Sequence, residues 1–494
     1  MLAAGWKSVR GDRRAAKRCS AMRESVNLAR PSDEVAASAN RGASRHRLAA
    51  VGRRGHPFFR NAYALVLNTG ISGGLGVVFW FLAARHYDDA DVGRGSAAIS
   101  AMMLSAGLVA VNTDGTLNRF IPRTGRRTFA VVAWAYVLTS AVVAVLAVAF
   151  LATLDWWGPA FDLLRAPDMG LWFCIAAVAV SVTIVQDSVL TGLRAAVWVP
   201  VENAAFGAAK IVFVVVLAVS MPRSGVFFSW IVPMIVLMVP MNLLIFGRLV
   251  PRHVRTTRRA VDLTRAEIGR FFAADYLGAL FLFATIYLTP VLVATHVESH
   301  TYAYFFVAWS VVSVMNCVGV SLATSLTVEG VYDSSSLAGN CRAALVRALG
   351  LLLVGAVVIS LAAPYTLALL GDGYLEAVPL LQLLVFATLP RAVADIYIGT
   401  LRAQSECMRI ARVQAVRGVL VLGLVILLMH YDQLFVGVGL PGITAVGLAV
   451  LLGQLIVMLV VLPGLGRVLG WRRSPVSVAT VPTTAHEQVP PLGR

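Results

Sequence analysis

Six ionisable residues lie within or at the edges of long apolar stretches of this sequence: Asp114, Asp187, Lys210, Asp275, Arg391 and Asp395. A charge carried into hydrocarbon costs about 3 kcal/mol on insertion scales, so each needs a partner or a task. Arg391 and Asp395 are spaced i, i+4, which sets them on one helix face within pairing reach. Two readings fit them. Arg391 is a basic site for a substrate phosphate with Asp395 as an ion-coupling carboxylate, or the two form an intrahelical ion pair that eases insertion. Asp187 has no basic neighbour on its own helix; Lys210 on the next one is read as its partner in a structural ion pair, with Arg194 as competitor. Asp275 is read as an ion-coupling carboxylate, with pairing to Arg270 or Arg391 as the plainer alternative. Asp114 joins it as a coupling candidate. Arg119 stands where an anionic head group would enter, or serves as a basic anchor. Glu202 lies near a helix end.

Arg85, a basic residue in an otherwise acidic region, is read as a group that meets substrate at the exit or pairs with Asp88, Asp89 or Asp91. His86 and His296 occupy similar turns and are read as solvated. Asn68 lies in a glycine-rich stretch with Gly70, Gly73, Gly74 and Gly76; it is a substrate-binding candidate, and Gly73 and Gly74 are gating candidates because small residues let helices approach or bend. Pro290, expected to break the seventh apolar stretch, is the third gating candidate. The five cysteines are scattered without a CxxC, so neither a metal cluster nor a disulfide framework is expected. Residues 437–442 fit GxGxxG in form only, with no strand before them and a proline inside. There is no GxxxxGK[ST] and no HExxH, and no cofactor is expected.

The elements that must hold these residues follow from composition. The chain has 494 residues, 58% hydrophobic and 14% charged, whereas soluble domains are about 25% charged. That excludes an ordinary soluble enzyme. Twelve apolar stretches, at about 62–84, 93–113, 128–152, 170–191, 198–220, 225–247, 271–295, 302–326, 344–370, 376–399, 412–431 and 441–465, are each long enough to cross roughly 30 Å of hydrocarbon as a helix. Barrel strands would be about 10 residues long and alternating. The expected organisation is an Arg-rich tail over 1–56, a six-helix lobe over 57–247, a basic loop over 248–270, a second six-helix lobe over 271–467 and a tail over 468–494. The fold class is therefore all-α, polytopic.

The net charge of +17 fits this layout. Basic residues gather in alternate connections, from Arg123, Arg126 and Arg127 through Arg248, Arg252 and Arg255 to Arg402, Arg409, Arg412 and Arg417. The other connections collect Asp88, Asp89, Asp91, Asp155, Asp162, Asp168, Glu298, Asp372 and Asp432, with only Arg85, Arg165 and Arg223 against them. By the positive-inside rule both termini are cytoplasmic. Basic residues spread over every inner loop also argue against nucleic acid as a partner.

An internal repeat supports two lobes. At an offset of 208, Asp187-Ser-Val-Leu-Thr-Gly-Leu-Arg-Ala195 aligns with Asp395-Ile-Tyr-Ile-Gly-Thr-Leu-Arg-Ala403, which places both aspartates alike and LRA at the start of an inner turn. At an offset of 210, His86 aligns with His296. An even number of helices per unit makes the pseudo-twofold axis parallel to the membrane normal.

FWFLAARHYDDADVGRGSAAISA (79–101), LNRFIP (117–122) and LTGLRAAVWVPVENAAFGAAKIV (190–212) resemble the polysaccharide-biosynthesis flippases of the multidrug/oligosaccharidyl-lipid/polysaccharide exporter superfamily. The resemblance spans about 57–470. It implies two six-helix lobes in a V and movement of a lipid-linked oligosaccharide or polysaccharide precursor to the outer leaflet of a bacterial plasma membrane. Membrane lipids, the lipid-linked glycan and envelope glycosyltransferases or a polymerase are the implied partners. The sequence departs from lipid-diphosphate flippases in having no basic residue within the first, seventh and eighth stretches. A small-molecule or cation antiporter on the same fold is the alternative. A membrane glycosyltransferase, polymerase or ligase fits less well, since the longest outer loop spans only 153–169.

The topology has a direct test. In a chain freed of its own cysteines, Asp88→Cys is expected to react with a membrane-impermeant maleimide in intact cells. Arg252→Cys is expected to react only after permeabilisation; labelling of both from outside contradicts the orientation.

Overall fold

The structure is a computed structural model that describes residues 57–110, 117, 121, 124–256, 278–332, 335–430 and 442–470. Asp114, Arg119 and Asp275 lie outside the described residues, as do both terminal tails and most of the 248–270 loop. Residues Ala62–Arg494 form one compact unit that contains both halves.

Among the described residues there is no strand. The helices of the first half are α1 (Pro57–His86), α2 (Asp89–Ala110), α3 (Thr128–Ala152), α4 (Pro167–Gly192), α5 (Trp198–Ser220) and α6 (Gly225–Leu244). Those of the second are α7 (Gly278–His296), α8 (Ser299–Tyr332), α9 (Leu337–Ala368), α10 (Val378–Ala403), α11 (Cys407–His430) and α12 (Ile443–Val468). They match the twelve apolar stretches one for one, and α2–α12 all meet the length and apolarity needed to span a membrane. Many are rich in β-branched residues, which are modest helix formers in water. In hydrocarbon the helix wins because it satisfies every backbone N–H and C=O within the segment.

Serine and threonine hydroxyls follow the same rule: Ser96, Ser105, Thr285 and Thr289 each donate to a carbonyl one turn back. Helices α3, α5 and α9 are among the least buried and present Trp134, Val145, Val219 and Leu361 outward, whereas α2 and α10 are the most buried.

The expected break at Pro290 takes a specific form. A π-helical turn, Ala284–Leu288, precedes it within a continuous α7. Proline has no N–H to give to the carbonyl of Ile286, and its ring crowds that carbonyl. The wider turn accommodates both effects. A second π turn, Ile245–Leu249, carries α6 into the short helix Val250–Thr256.

The repeat is visible in backbone detail. A glycine at positive φ (Gly158 at 83°, Gly371 at 143°) leads into a 3₁₀ helix, Pro159–Arg165 or Asp372–Ala377, and then into α4 or α10 with proline in its first turn. Both helices end in a Schellman motif around a left-handed residue, Arg194 or Ser405. The N–H of Ala195 donates to Leu190 C=O at 2.8 Å, and that of Glu406 to Leu401 C=O at 2.9 Å. His86 Nδ1 lies 2.9 Å from Leu82 C=O and His296 Nδ1 2.9 Å from Leu292 C=O. The bounds of α4 and α10 differ by 211 residues, not 208. Asp187 and Asp395 are thus not equivalent but offset by about one turn, and LRA of the second half lies within α10.

The halves meet at the end carrying the acidic turns. Helix α2 packs on α8 and on α7. Ser100 Oγ and Tyr302 Oη lie 2.9 Å apart, Tyr304 Oη donates to Asp89 Oδ2 at 2.9 Å, and the rings of Trp80 and Phe306 stand edge to face at 4.7 Å. Arg85 Nη1 reaches the carbonyl of Leu369 at 3.4 Å, where it also opposes the negative end of α9. Tyr87 anchors the turn by donating to Val214 C=O at 2.9 Å, and burial pushes its phenol up to about 12, so it remains a donor at any physiological pH. At Gly93 the two backbones come so close that a Cβ would lie 1.6 Å from the carbonyl oxygen of Ser299.

Gly93→Val is therefore expected to force α2 from α8 and to cost at least the 1–3 kcal/mol typical of overpacking, read as a fall in Tm of the purified protein. Gly74→Ala, whose Cβ meets nothing within 4 Å, is expected to leave Tm unchanged or raise it. Equal Tm values for the two variants would contradict the close approach.

Candidate functional site

Helices α1, α2, α6, α7 and α8 enclose a cavity of about 330 Å³ between the halves. Five aromatic side chains line it: Trp80, Trp230, Tyr287, Phe306 and Trp309. The hydroxyls of Ser100, Ser310 and Ser313 are also on the wall, and none of the lining residues is charged. The π turn places Ile286 and Tyr287 there, and α8 places Phe306, Trp309, Ser310 and Ser313 one turn apart on one face. Such a lining receives flat apolar faces against its rings and offers hydroxyls to fix orientation.

Two gating candidates meet at this cavity. Gly73 lets α1 approach α8, since a Cβ there would stand 2.7 Å from Val314 Cγ1, and Pro290 lies on the facing half. A Cβ at Gly74 would meet nothing within 4 Å, and Gly74 is not among the lining residues. Asn68 lies on α1, but its side chain is outside the described set.

The second half buries a charge cluster between α10 and α11. Arg417 Nη1 donates to Asp395 Oδ1 at 2.7 Å, and Arg391 Nε lies 3.5 Å from Asp395 Oδ2 without hydrogen-bond alignment. The i, i+4 spacing thus brings Arg391 and Asp395 together, but the tighter partner comes from another helix. Arg417 had been assigned to an inner loop, and that placement is corrected. Helix α11 begins at Cys407, so Arg417 lies nearly three turns inside it and is the largest fully buried side chain among the described residues, 1% exposed.

The expected Asp187–Lys210 pair is also corrected. Lys210 Nζ lies 5.2 Å from the ring centre of Phe79 and 5.1 Å from that of Phe206, in cation–π contact, and no ion pair joins it to Asp187 among the described residues. At 1.5 Å per residue, Lys210 stands roughly 10 Å further from the basic end of the bundle than Asp187 does. The α5 residue at the depth of Asp187 is Glu202. Gln186 Nε2 donates to Glu202 Oε1 at 2.6 Å, and Asn242 Nδ2 donates to Gln186 Oε1 at 2.7 Å. This buried chain links α4, α5 and α6. Sequence reading had noted Glu202 only for its position near a helix end.

Arg85 is exposed and forms no ion pair with Asp88, Asp89 or Asp91. Asp88 caps Ala90 N–H, Asp89 accepts from Tyr304, and Asp91 pairs with Arg94 at 2.5 Å. Each acid's own hydrogen bond leaves Arg85 to the opposite half. No group of three or more His, Cys, Asp or Glu that could hold a metal ion occurs among the described residues.

No protein-family profile matches the chain, and no curated protein matches it. Solved structures do. An inward-facing multidrug resistance MATE family transporter of the MOP superfamily superposes with TM-score 0.63 at 17% identity, covering 81% of this chain and 94% of that one. An outward-facing transporter of the same description gives 0.57 at 16% identity, with 84% and 96% covered. A MOP superfamily transporter from Pyrococcus furiosus Vc1, whose binding pocket is described as reversed in polarity, gives 0.54 at 16%, with 84% and 96% covered. At these identities the likeness is one of fold. The chain shares the polytopic all-α fold of these transporters.

The charge cluster generates a stability prediction. Asp395→Ala strands two buried guanidinium groups and is expected to cost about 3–5 kcal/mol, seen as a large fall in Tm or in folded yield. Adding Arg417→Met is expected to recover part of it. A wild-type Tm for Asp395→Ala would contradict the assigned pairing.

Proposed function

We propose that this chain is an alternating-access membrane transporter that carries a lipid-linked oligosaccharide or polysaccharide precursor to the outer leaflet. The observation that carries this reading is the uncharged cavity between the halves. The faces of Trp80, Trp230 and Trp309 suit stacking on the C–H faces of sugar rings, and Ser100, Ser310 and Ser313 suit their hydroxyls. The acyl chains of the carrier would remain in the bilayer. With the basic loops inside, the seam between the halves lies on the outer side and the cavity lies just beneath it.

In this reading Arg119, Arg391, Asn68 and Arg85 are substrate contacts along the path, and Asp114, Asp275 and Asp395 are coupling candidates for an ion gradient or the membrane potential. Gly73, Gly74 and Pro290 are gating positions, and glycosyltransferases or a polymerase are the partners that make and use the cargo. A second reading, export of lipophilic small molecules or cations, is favoured by the drug transporters among the structural neighbours, since aromatic rings also attract cations.

Deletion of the gene is expected to strip surface glycan and to accumulate lipid-linked precursor on the inner leaflet, with unchanged tolerance of cationic dyes. Complementation by Trp309→Ala is expected to restore less than about a tenth of the glycan, the scale set by losing roughly 1.4 kcal/mol of contact, while Trp309→Phe restores most. Normal glycan with raised dye sensitivity would replace this reading by the antiporter.

A further inference from the structure

The cluster in the second half contains more positive than negative charge. Arginine stays protonated in proteins, so Arg391, Asp395 and Arg417 sum to one net positive charge. The further charged group acting on Asp395, Arg402, is also basic. Arg417 Nε and Nη2 have no hydrogen-bond partner, and Arg391 Nε and Asp395 Oδ2 face each other at 3.5 Å without hydrogen-bond alignment. Gln414, one turn before Arg417 on α11, is 3% exposed with Oε1 unpartnered. Gln454 on α12, which packs on both α10 and α11, is 2% exposed and also has a free Oε1. Rotation of either amide would present N–H instead. Among the described residues no second carboxylate pairs with either arginine, and a buried net positive charge with open donors is costly.

We propose that this cluster is a binding site for a small monovalent inorganic anion such as chloride. Arg417 Nε and Nη2 are its donors, Arg391 supplies the excess positive charge, and one negative charge balances the site. Phosphate, larger than a halide and about half dianion near neutral pH, fits that balance poorly. Access runs past Arg391, whose side chain is 13% exposed against 1% for Arg417. Cys317, whose thiol senses the Arg391 charge, lies one turn beyond the cavity residue Ser313 on α8. The anion is thus a resident ion of the second half, reached from the side of the central cavity.

The test uses the full chain, purified in detergent in sodium gluconate. Sodium chloride, sodium bromide, choline chloride and sodium phosphate are titrated in at constant ionic strength while Tm is read, and bound ³⁶Cl is counted. Chloride and bromide are expected to raise Tm saturably, by roughly 2 °C at ten times Kd, whatever the cation, whereas phosphate does not. Arg391→Gln, which neutralises the cluster and keeps the Asp395–Arg417 pair, is expected to fold and to lose both the shift and the bound ³⁶Cl. A Tm that ignores halides with no ³⁶Cl bound, an equal response to phosphate, or a wild-type response in Arg391→Gln would each overturn the proposal.

Discussion

The approach of α2 to α8 at Gly93 is the constraint on which the rest of the arrangement depends. Lipid tails are as apolar as leucine, so no hydrophobic force draws two helix bundles together inside a membrane. Close packing and interhelical hydrogen bonds must hold them. A glycine against the Ser299 carbonyl permits the contact, and the Ser100–Tyr302 and Tyr304–Asp89 hydrogen bonds fix its register. The cavity is what remains where the same two halves diverge. Gly73 keeps α1 against α8 on one side, and the π turn before Pro290 swings Tyr287 into the wall on the other.

The two halves share a backbone plan and differ in charge. In the first, one carboxylate, Glu202, is buried among amides, and Lys210 rests between aromatic rings. In the second, one carboxylate serves two guanidinium groups. The Schellman motifs at Arg194 and Ser405 and the glycine-led 3₁₀ helices before α4 and α10 show how closely the backbones match. The one-turn offset between Asp187 and Asp395 shows that the polar residues do not follow that match. Under the proposed transport cycle, one rocking motion would move different charges on each side.

Residue pattern alone revealed the twelve helices, because a 20-residue apolar run in a membrane has only one good conformation. It also brought out Gly73 and Pro290, since small residues and prolines have local effects. It paired Arg391 with Asp395 because i, i+4 neighbours face each other on any helix. It did not find Arg417, which meets Asp395 across 22 residues and follows Arg409 and Arg412 in a run that reads as basic loop but forms the first turns of α11. It mispaired Lys210 because depth in the membrane, not order in the chain, decides which residues of α4 and α5 meet. The aromatic cavity was equally out of reach: Trp80, Trp230 and Trp309 come from three separate helices and read singly as ordinary apolar residues.

The central claim is that the two halves separate along this seam as cargo passes. Gly73→Cys with Val314→Cys tests it most directly, since a Cβ at Gly73 stands 3.3 Å from Val314 Cβ, near the separation a disulfide needs. Oxidation is predicted to join α1 to α8 and arrest transport, and reduction to restore it. A fully cross-linked protein that transports at the uncross-linked rate would contradict the account.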